Sequence, residues 1–181
     1  MSIDTPVLVL SGIGNSGPQH WQSLWQQRHP QWQRVNLGEW DAPVCDDWVR
    51  ALDVAVRACP SPPMLIAHSL ACLLVAHWAH WAHRSALVPE GAFLVAVPDP
   101  QSASFPAKAR GFTPVPMGPF GFRSLVVAST NDSFGSLAHA THCAIAWGST
   151  FVDIGQAGHI NADSGHGEWE EGYRLLQGIL G

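Results

Sequence analysis

The alternation of short aliphatic runs with helical patterns constrains the fold of this chain more than any other feature. Five runs have the β-branched and aliphatic character of buried strands, namely "PVLVL" (6–10), "MLIAH" (64–68), "AFLVAV" (92–97), "SLVVAS" (124–129) and "TFVDI" (150–154). "RVNL" (34–37) is a weaker sixth. Strands joined through helices pair in parallel by right-handed crossovers. The sequence therefore predicts an α/β fold with a mostly parallel central sheet of about six strands and helices on both faces.

Apolar spacing predicts five helices between and after these strands. They cover Trp21 to Arg28, the stretch from Pro43 to Cys59, residue 70 to about His83, residues 134–146, and the C-terminal stretch from about Ser164. The proline-rich stretch 98–122 shows no periodicity. A loop of that length is usually functional, so we expect it to act as a lid over a pocket.

Composition excludes several classes of protein. Of the 181 residues, 46% are hydrophobic and only 13% charged, which predicts one folded domain over residues 1–181. The net charge of -5 provides no basic surface, so no nucleic-acid partner is expected. No stretch has the length of a membrane span or the charge of a signal peptide, so we expect a cytoplasmic protein without a membrane partner. The four cysteines form no CxxC pair and are expected to be free thiols.

One serine lies where a strand meets a helix. In "LIAHSLAC", Ser69 follows a predicted strand and precedes a predicted helix. Ala67 lies two residues before it, and Ala71 lies two residues after it. Small residues at those positions permit the sharp turn that exposes a catalytic serine. The alternative interpretation is an ordinary helix-capping serine.

An acid and a base follow Ser69 in the order that a serine hydrolase of this fold requires. Asp132 lies in the loop after "SLVVAS", and His159 lies in the loop after the last strand. The carboxyl ends of parallel strands share one edge of a sheet, so Ser69, Asp132 and His159 are predicted to meet there as a catalytic triad. Asp99 is a weaker candidate for the acid, and Asp153 is expected to lie within a strand.

The loop "SGIGNSG" after the first strand is expected to complete the site. The Leu70 amide and the Ile13 amide are the predicted oxyanion-hole donors, and Gly12, Asn15 and Trp21 are the predicted substrate contacts. The loop lacks the Lys-Ser/Thr ending of a P-loop, so nucleotide binding is not expected. His77, His80 and His83 spread around one helix without a carboxylate, so no metal or other cofactor is expected.

Together these stretches resemble a known family. "VLSGIGNSGPQHWQSLW", "LIAHSLAC", "VVASTNDSF" and "GHIN" are similar to the small serine hydrolases of the retinoblastoma-binding-protein and YdeN type, over nearly the full length. The resemblance implies a compact α/β hydrolase in which Ser69 matches the nucleophile, Asp132 the acid and His159 the base. It departs from the family at Ala67 and Ala71, where glycine is more usual, and it lacks the L-x-C-x-E segment needed for retinoblastoma binding.

Two functions remain open on the residues alone. The first is a carboxylesterase-like serine hydrolase that acts on the ester, thioester or amide carbonyl of a small-molecule acyl substrate, with aminopeptidase or lactonase chemistry open as well. The second is a non-catalytic interaction protein that keeps the same scaffold, because a fold by itself does not establish a function.

Overall fold

A computed structural model describes residues 5–82 and 88–180. Within those residues, the chain forms six strands, five α-helices and one short 3-10 helix. In chain order the strands and helices are β1 (Val7–Leu10), α1 (Trp21–Arg28), β2 (Gln33–Arg34), α2 (Cys45–Ala58), β3 (Met64–His68), α3 (Leu70–Ala82), β4 (Gly91–Val95), β5 (Arg123–Ala128), α4 (Leu137–Trp147), β6 (Thr150–Asp153), the 3-10 helix (Ala162–Ser164) and α5 (Glu170–Leu180).

The strands form one sheet in the order β2-β1-β3-β4-β5-β6, and each neighbouring pair is parallel. This confirms the predicted parallel α/β sheet. The chain leaves β1 toward β2 and later returns to the other side of β1 to form β3. Such a reversal opens a crevice at the carboxyl ends of the two strands, where ligands of α/β proteins bind. In register, Leu10 of β1 lies opposite Ala67 of β3, close to this crevice.

Alternate residues of the strands face two separate hydrophobic cores. Leu8, Leu65, Leu94 and Val126 pack with residues of α2, α3 and α4 on one face. Val9, Ile66, Phe93 and Val127 pack with residues of α1 and α5 on the other. This alternation is the period of two that strand geometry imposes, and it places helices on both faces as predicted.

Several predicted boundaries differ from the structure. β4 ends at Val95, because Ala96 adopts a positive φ of 58°. α5 begins at Glu170 rather than near Ser164, because Gly165 and Gly167 adopt positive φ angles that interrupt a helix. His83, the predicted end of the third helix, lies outside the described residues.

The four cysteines were predicted to be free thiols, and the structure agrees. Cys45, Cys59, Cys72 and Cys143 are free thiols, of which Cys59 alone is partly exposed. Among the helices in the described part of the chain, none has the length and apolar character needed to cross a bilayer.

Candidate active site

Ser69 occupies a one-residue turn between β3 and α3. Its φ of 55° lies in the left-handed region, a conformation that costs about 1–3 kcal/mol for a residue with a side chain. Two hydrogen bonds hold the turn, since the Ser69 N–H donates to the Val95 carbonyl (2.9 Å) and the Cys72 N–H donates to the Ser69 carbonyl (2.8 Å). The serine is thereby fixed at the carboxyl end of a central strand.

Small residues surround this turn, as the sequence pattern indicated. Ala67 and Ala71 are both completely buried, so the turn forms with alanine where the resembled family more often has glycine. Gly12 of the loop after β1 packs directly on the serine. A Cβ atom at Gly12 would lie 3.0 Å from the Ser69 Cβ and 3.1 Å from the His68 carbonyl oxygen. A side chain at Gly12 would therefore have to displace the serine turn by a few tenths of an ångström, and glycine lets the two loops touch without that shift.

The structure brings Ser69, His159 and Asp132 into one row of hydrogen bonds. The His159 Nε2 lies 2.8 Å from the Ser69 Oγ, and the His159 Nδ1 lies 2.9 Å from both carboxylate oxygens of Asp132. A carboxylate only accepts, so the Nδ1–H of a neutral imidazole donates to Asp132. The Nε2 lone pair then accepts the hydrogen bond from the Ser69 hydroxyl, which is the arrangement of a general base next to a nucleophile.

Asp132 is the more enclosed partner of His159. Its side chain is 2% exposed, against 11% for the side chain of His159. Asp132 also accepts a hydrogen bond from the Phe134 N–H (2.9 Å), and the Phe134 ring packs 4.5 Å from the imidazole. Screening by water is weak at such a site, which strengthens the interaction between the carboxylate and an imidazolium.

The other two carboxylates lie elsewhere. Asp99 lies 3.7 Å from the Nδ1 of His139, and the exposed Asp153 accepts from the Gly155 N–H. Neither forms a hydrogen bond or an ion pair with His159 in the described residues.

Five side chains, four of them from distant parts of the sequence, bind the backbone around His159. Residues 157–160 are named here the base loop. Ser129 accepts a hydrogen bond from the Ala157 N–H (2.9 Å), and Asn131 accepts one from the Gly158 N–H (2.8 Å). His68 donates to the His159 carbonyl (2.9 Å), and Trp21 donates to the Ile160 carbonyl (2.8 Å). His166 donates to the Ala157 carbonyl (2.9 Å). The His159 imidazole is thus held through its own main chain as well as through Asp132.

Trp21 therefore has a different place from the one predicted. It is 1% exposed, packs edge-on against Trp25 in the core between the sheet and the helices α1 and α5, and does not line the cavity beside Ser69. This corrects the expectation that Trp21 contacts substrate. The reason is that the first turn of α1 points this side chain toward the sheet, where its N–H reaches the base loop.

A cavity of about 270 Å³ lies against Ser69. Its walls come from the loop after β1, the serine turn, the base loop and the proline-rich stretch 98–122, which is named here the cover segment. The lining residues are Gly12, Ile13, Asn15, Gly17, His20, His68, Ser69, Leu70, Pro98, Phe105, Pro106, Phe134, His159, Asn161 and Ala162. Gly12 and Asn15, the other predicted substrate contacts, are among them.

The amides of Leu70 and Ile13 face no competing acceptor. Both residues line the cavity, and neither N–H donates a hydrogen bond to any other group in residues 5–82 and 88–180. Leu70 is the first residue of α3, where backbone N–H groups have no partner within the helix. Two unpaired donors beside a nucleophile meet the chemical requirement for an oxyanion hole.

Two further histidines line the cavity, and sequence reasoning had assigned neither of them to it. The rings of His20 and His68 lie 4.6 Å apart, and His68 lies 5.0 Å from His159. Burial, with smaller contributions from Arg34 and His159, lowers the pKa of His20 to about 4. Burial, followed by His20 and His159, lowers the pKa of His68 well below its ordinary value. Both are therefore neutral at physiological pH.

The helix that carries the other histidines has no metal site in the described residues. His77 pairs through its Nε2 with the Phe112 carbonyl (3.2 Å), and His83 lies outside those residues. Within the described chain, no group of three or more His, Cys, Asp and Glu side chains is arranged to hold a metal ion.

Comparisons with known proteins agree on a family and a fold. A family model described as serine hydrolase matches residues 7–178. A protein from Pectobacterium atrosepticum described as a YdeN-like hydrolase is 33% identical in sequence, with a TM-score of 0.84, over 98% of this chain and 91% of its own. A search of the curated proteins finds no match.

Two more distant structures support the fold alone. The ydeN gene product of B. subtilis is 19% identical, with a TM-score of 0.79, over 97% of this chain and 98% of its own. A hydrolase of the α/β superfamily from Xanthomonas campestris is 17% identical, with a TM-score of 0.62, over 96% of this chain and 99% of its own. The chain has the α/β hydrolase fold.

Proposed function

The chain belongs to the serine hydrolase family, and on that premise we propose that it hydrolyses an ester, thioester or amide of a small acyl group through an acyl-enzyme on Ser69. The observation that carries the proposal is the unbroken row of hydrogen bonds from Asp132 through His159 to Ser69 at the wall of a cavity. A serine that merely capped a helix would need no imidazole at 2.8 Å.

In the first half of the reaction, His159 Nε2 takes the proton from the Ser69 hydroxyl as Oγ attacks the substrate carbonyl carbon. The carbonyl π electrons move to oxygen, which becomes an oxyanion. The imidazolium then gives the proton to the leaving alcohol, thiol or amine as its bond to carbon breaks. Asp132 stabilises the imidazolium and keeps its Nδ1–H oriented during these steps.

In the second half, a water molecule takes the place of the leaving group. His159 removes one proton from the water, and the resulting hydroxide adds to the acyl carbon. When the bond to Ser69 Oγ breaks, His159 returns the proton to Oγ and the carboxylic acid leaves. No cofactor enters this sequence.

The Leu70 and Ile13 amides are the proposed donors to the oxyanion in both halves. Loss of one such donor typically costs a factor of about 10²–10³ in kcat. The contact of Gly12 with the serine turn keeps the loop that bears Ile13 close to Leu70.

Labelling with a fluorophosphonate probe tests this function. We expect covalent labelling of the folded protein and none of Ser69→Ala, with hydrolysis of p-nitrophenyl butyrate reduced by about 10⁴-fold or more in the variant. Circular dichroism and the melting temperature of the variant serve as the control for folding. Equal labelling of both proteins, or none of either, would instead favour the non-catalytic interaction protein.

A further inference from the structure

The cavity beside Ser69 is small. Its volume of about 270 Å³ lies below the roughly 300–1,000 Å³ of sites that bind drug-sized ligands. One water molecule occupies roughly 30 Å³ of the liquid, so the cavity has the size of a short acyl chain of several carbon atoms. An acyl group longer than this would have to leave the cavity or displace its walls.

Most of the wall is apolar. The side chains of Ile13, Leu70, Phe105, Phe134 and the two prolines Pro98 and Pro106 contribute to it. Hydrocarbon bound against such a surface gains about 25 cal/mol per Å² of apolar area removed from water.

The polar part of the wall has no formal charge. No Asp, Glu, Lys or Arg among the described residues lines the cavity. The Asn15 Oδ1 already accepts from the Ser16 N–H (2.8 Å), and the Asn161 Oδ1 accepts from the Ser164 N–H (3.1 Å). Because burial lowers the pKa of His20 and His68, these two histidines also face the cavity without charge at pH 7.

Arg34 donates to a lining residue, and four of its five N–H donors are already used. It donates to the Asn15 Oδ1 (3.2 Å) and the Ser16 carbonyl (2.7 Å), and also to Ser23 and Gln26. Arg34 itself does not line the cavity. A carboxylate on a bound acyl group would thus lose its water without gaining a counter-charge, which is strongly unfavourable.

We infer that this cavity selects a short, uncharged acyl group. The inference rests on the proposed function, since it names the substrate class of the same site. It excludes long-chain fatty acyl groups by size and dicarboxylic half-esters by charge.

A panel of p-nitrophenyl esters tests both limits with a constant leaving group. For size, the acyl groups are butyrate, hexanoate, octanoate and dodecanoate. For charge, 6-methylheptanoate is compared with monoadipate, whose acyl group has the same number of non-hydrogen atoms and ends in a carboxylate instead of an isopropyl group. We expect kcat/KM for dodecanoate to be at least ~10-fold below the best shorter ester. Monoadipate is expected at least ~100-fold below 6-methylheptanoate.

Two variants of Phe105 provide a matched pair, since this residue lines the cavity and lies outside the proposed catalytic machinery. Phe105→Lys adds a cation to the wall, and Phe105→Met adds a side chain of similar length without charge. We expect Phe105→Lys to raise the ratio of the monoadipate rate to the 6-methylheptanoate rate by ~10-fold or more, because the carboxylate gains a partner. Phe105→Met should leave this ratio unchanged.

Binding to Ser69→Ala separates this inference from the proposed function. If no ester is hydrolysed and no probe labels Ser69, the proposed function fails, and titration of the variant with 6-methylheptanamide and with adipic acid monoamide still tests the cavity. Tighter binding of the uncharged amide supports the inference. Equal or tighter binding of the carboxylate, or rates on dodecanoate or monoadipate that match those of their partners, would overturn it.

Discussion

The base loop and the first part of the cover segment line the same cavity but are held in different ways. Side chains from distant segments bind the backbone of residues 157–160, including His68, Trp21 and Asn131. In the described chain, by contrast, every hydrogen bond of residues 100–109 is to a residue within 99–109. The backbone that carries His159 is hydrogen-bonded to distant parts of the fold. The backbone that carries Phe105 is held by local turns and side-chain packing.

This difference separates the chemistry of the site from its fit to a substrate. A catalytic base must keep its position to within a fraction of an ångström, because misplacement by about 1 Å can cost a factor of 10² in rate. A wall that contacts only the acyl group tolerates small displacements. Segments with few long-range contacts open at lower free energy, so residues 100–109 of the cover segment are the part expected to adjust as substrates enter.

The largest effect is expected from Asp132→Asn, which changes the hydrogen-bond partner of the His159 side chain without altering the base loop itself. An amide next to His159 favours the wrong tautomer and does not stabilise the imidazolium, so kcat should fall by about 10⁴-fold. Steady-state kinetics with p-nitrophenyl butyrate measure this. A melting temperature close to that of the parent protein is the control. A loss smaller than about tenfold would show that Asp132 is not the orienting acid.

Acid should lower the free energy of unfolding through the buried His20. The pKa of His20 is about 4 in the folded protein against an ordinary 6.5, so between these values the unfolded chain binds more protons. Stability is therefore complete above about pH 6.5 and lost as the pH falls toward 4, by about 3 kcal/mol at most for this group.

Urea unfolding at pH 7 and pH 4 measures this loss, and His20→Asn is the matched variant. Asparagine can replace the His20 Nδ1 as the N-cap acceptor of α1, so the helix cap is preserved without a titrating ring. The variant should lose less stability between the two pH values. An unchanged loss would assign the acid sensitivity to other groups.

A smaller effect on kcat is expected from substitution of His68, whose side chain binds the base loop through one hydrogen bond. His68→Phe keeps an aromatic ring but removes the N–H that donates to the His159 carbonyl, and we expect kcat to fall by about 10- to 100-fold with little change in KM. His68→Gln places an amide N–H at a similar reach and should recover most of the rate. If both variants are equally impaired, or neither is, the hydrogen bond does not position His159.

The smallest effect is expected on the other side of the cavity. Phe105→Ala should raise KM by a few-fold, roughly the loss of one apolar contact, and leave kcat within about twofold of the parent value. Kinetics with the same ester measure this directly. A fall in kcat as large as that of His68→Phe would remove the distinction between the two regions.

Features of this protein that produce a local pattern in the sequence could be predicted, and features that produce none could not. The strands, the helices and the order of Ser69, Asp132 and His159 were readable from local periodicity and from the rule that parallel strands end at a common edge. The bounds of β4 and α5 were missed, because they depend on the positive φ of Ala96, Gly165 and Gly167. No periodic pattern marks such angles.

The residues of the site that were missed share a different cause. Ser129 and Asn131 precede Asp132 in the quoted "VVASTNDSF", and their polar side chains in a loop are the only signal that pointed to them. The hydrogen bond from Trp21 to Ile160 joins residues 139 positions apart, and that from His68 to His159 joins residues 91 apart. Helical spacing placed Trp21 at the start of a predicted helix but did not indicate which way its side chain pointed.

The sequence by itself determined the parallel sheet, the serine at the strand-to-helix turn, and the presence of an acid and a base after later strands, because each depends on residue types and spacing along a short stretch. Only the tertiary structure decided the volume and neutrality of the cavity, the low pKa of His20, and the hydrogen bonds that hold the backbone of His159. These depend on how closely distant segments pack and how far they exclude water, and folding alone brings those segments together.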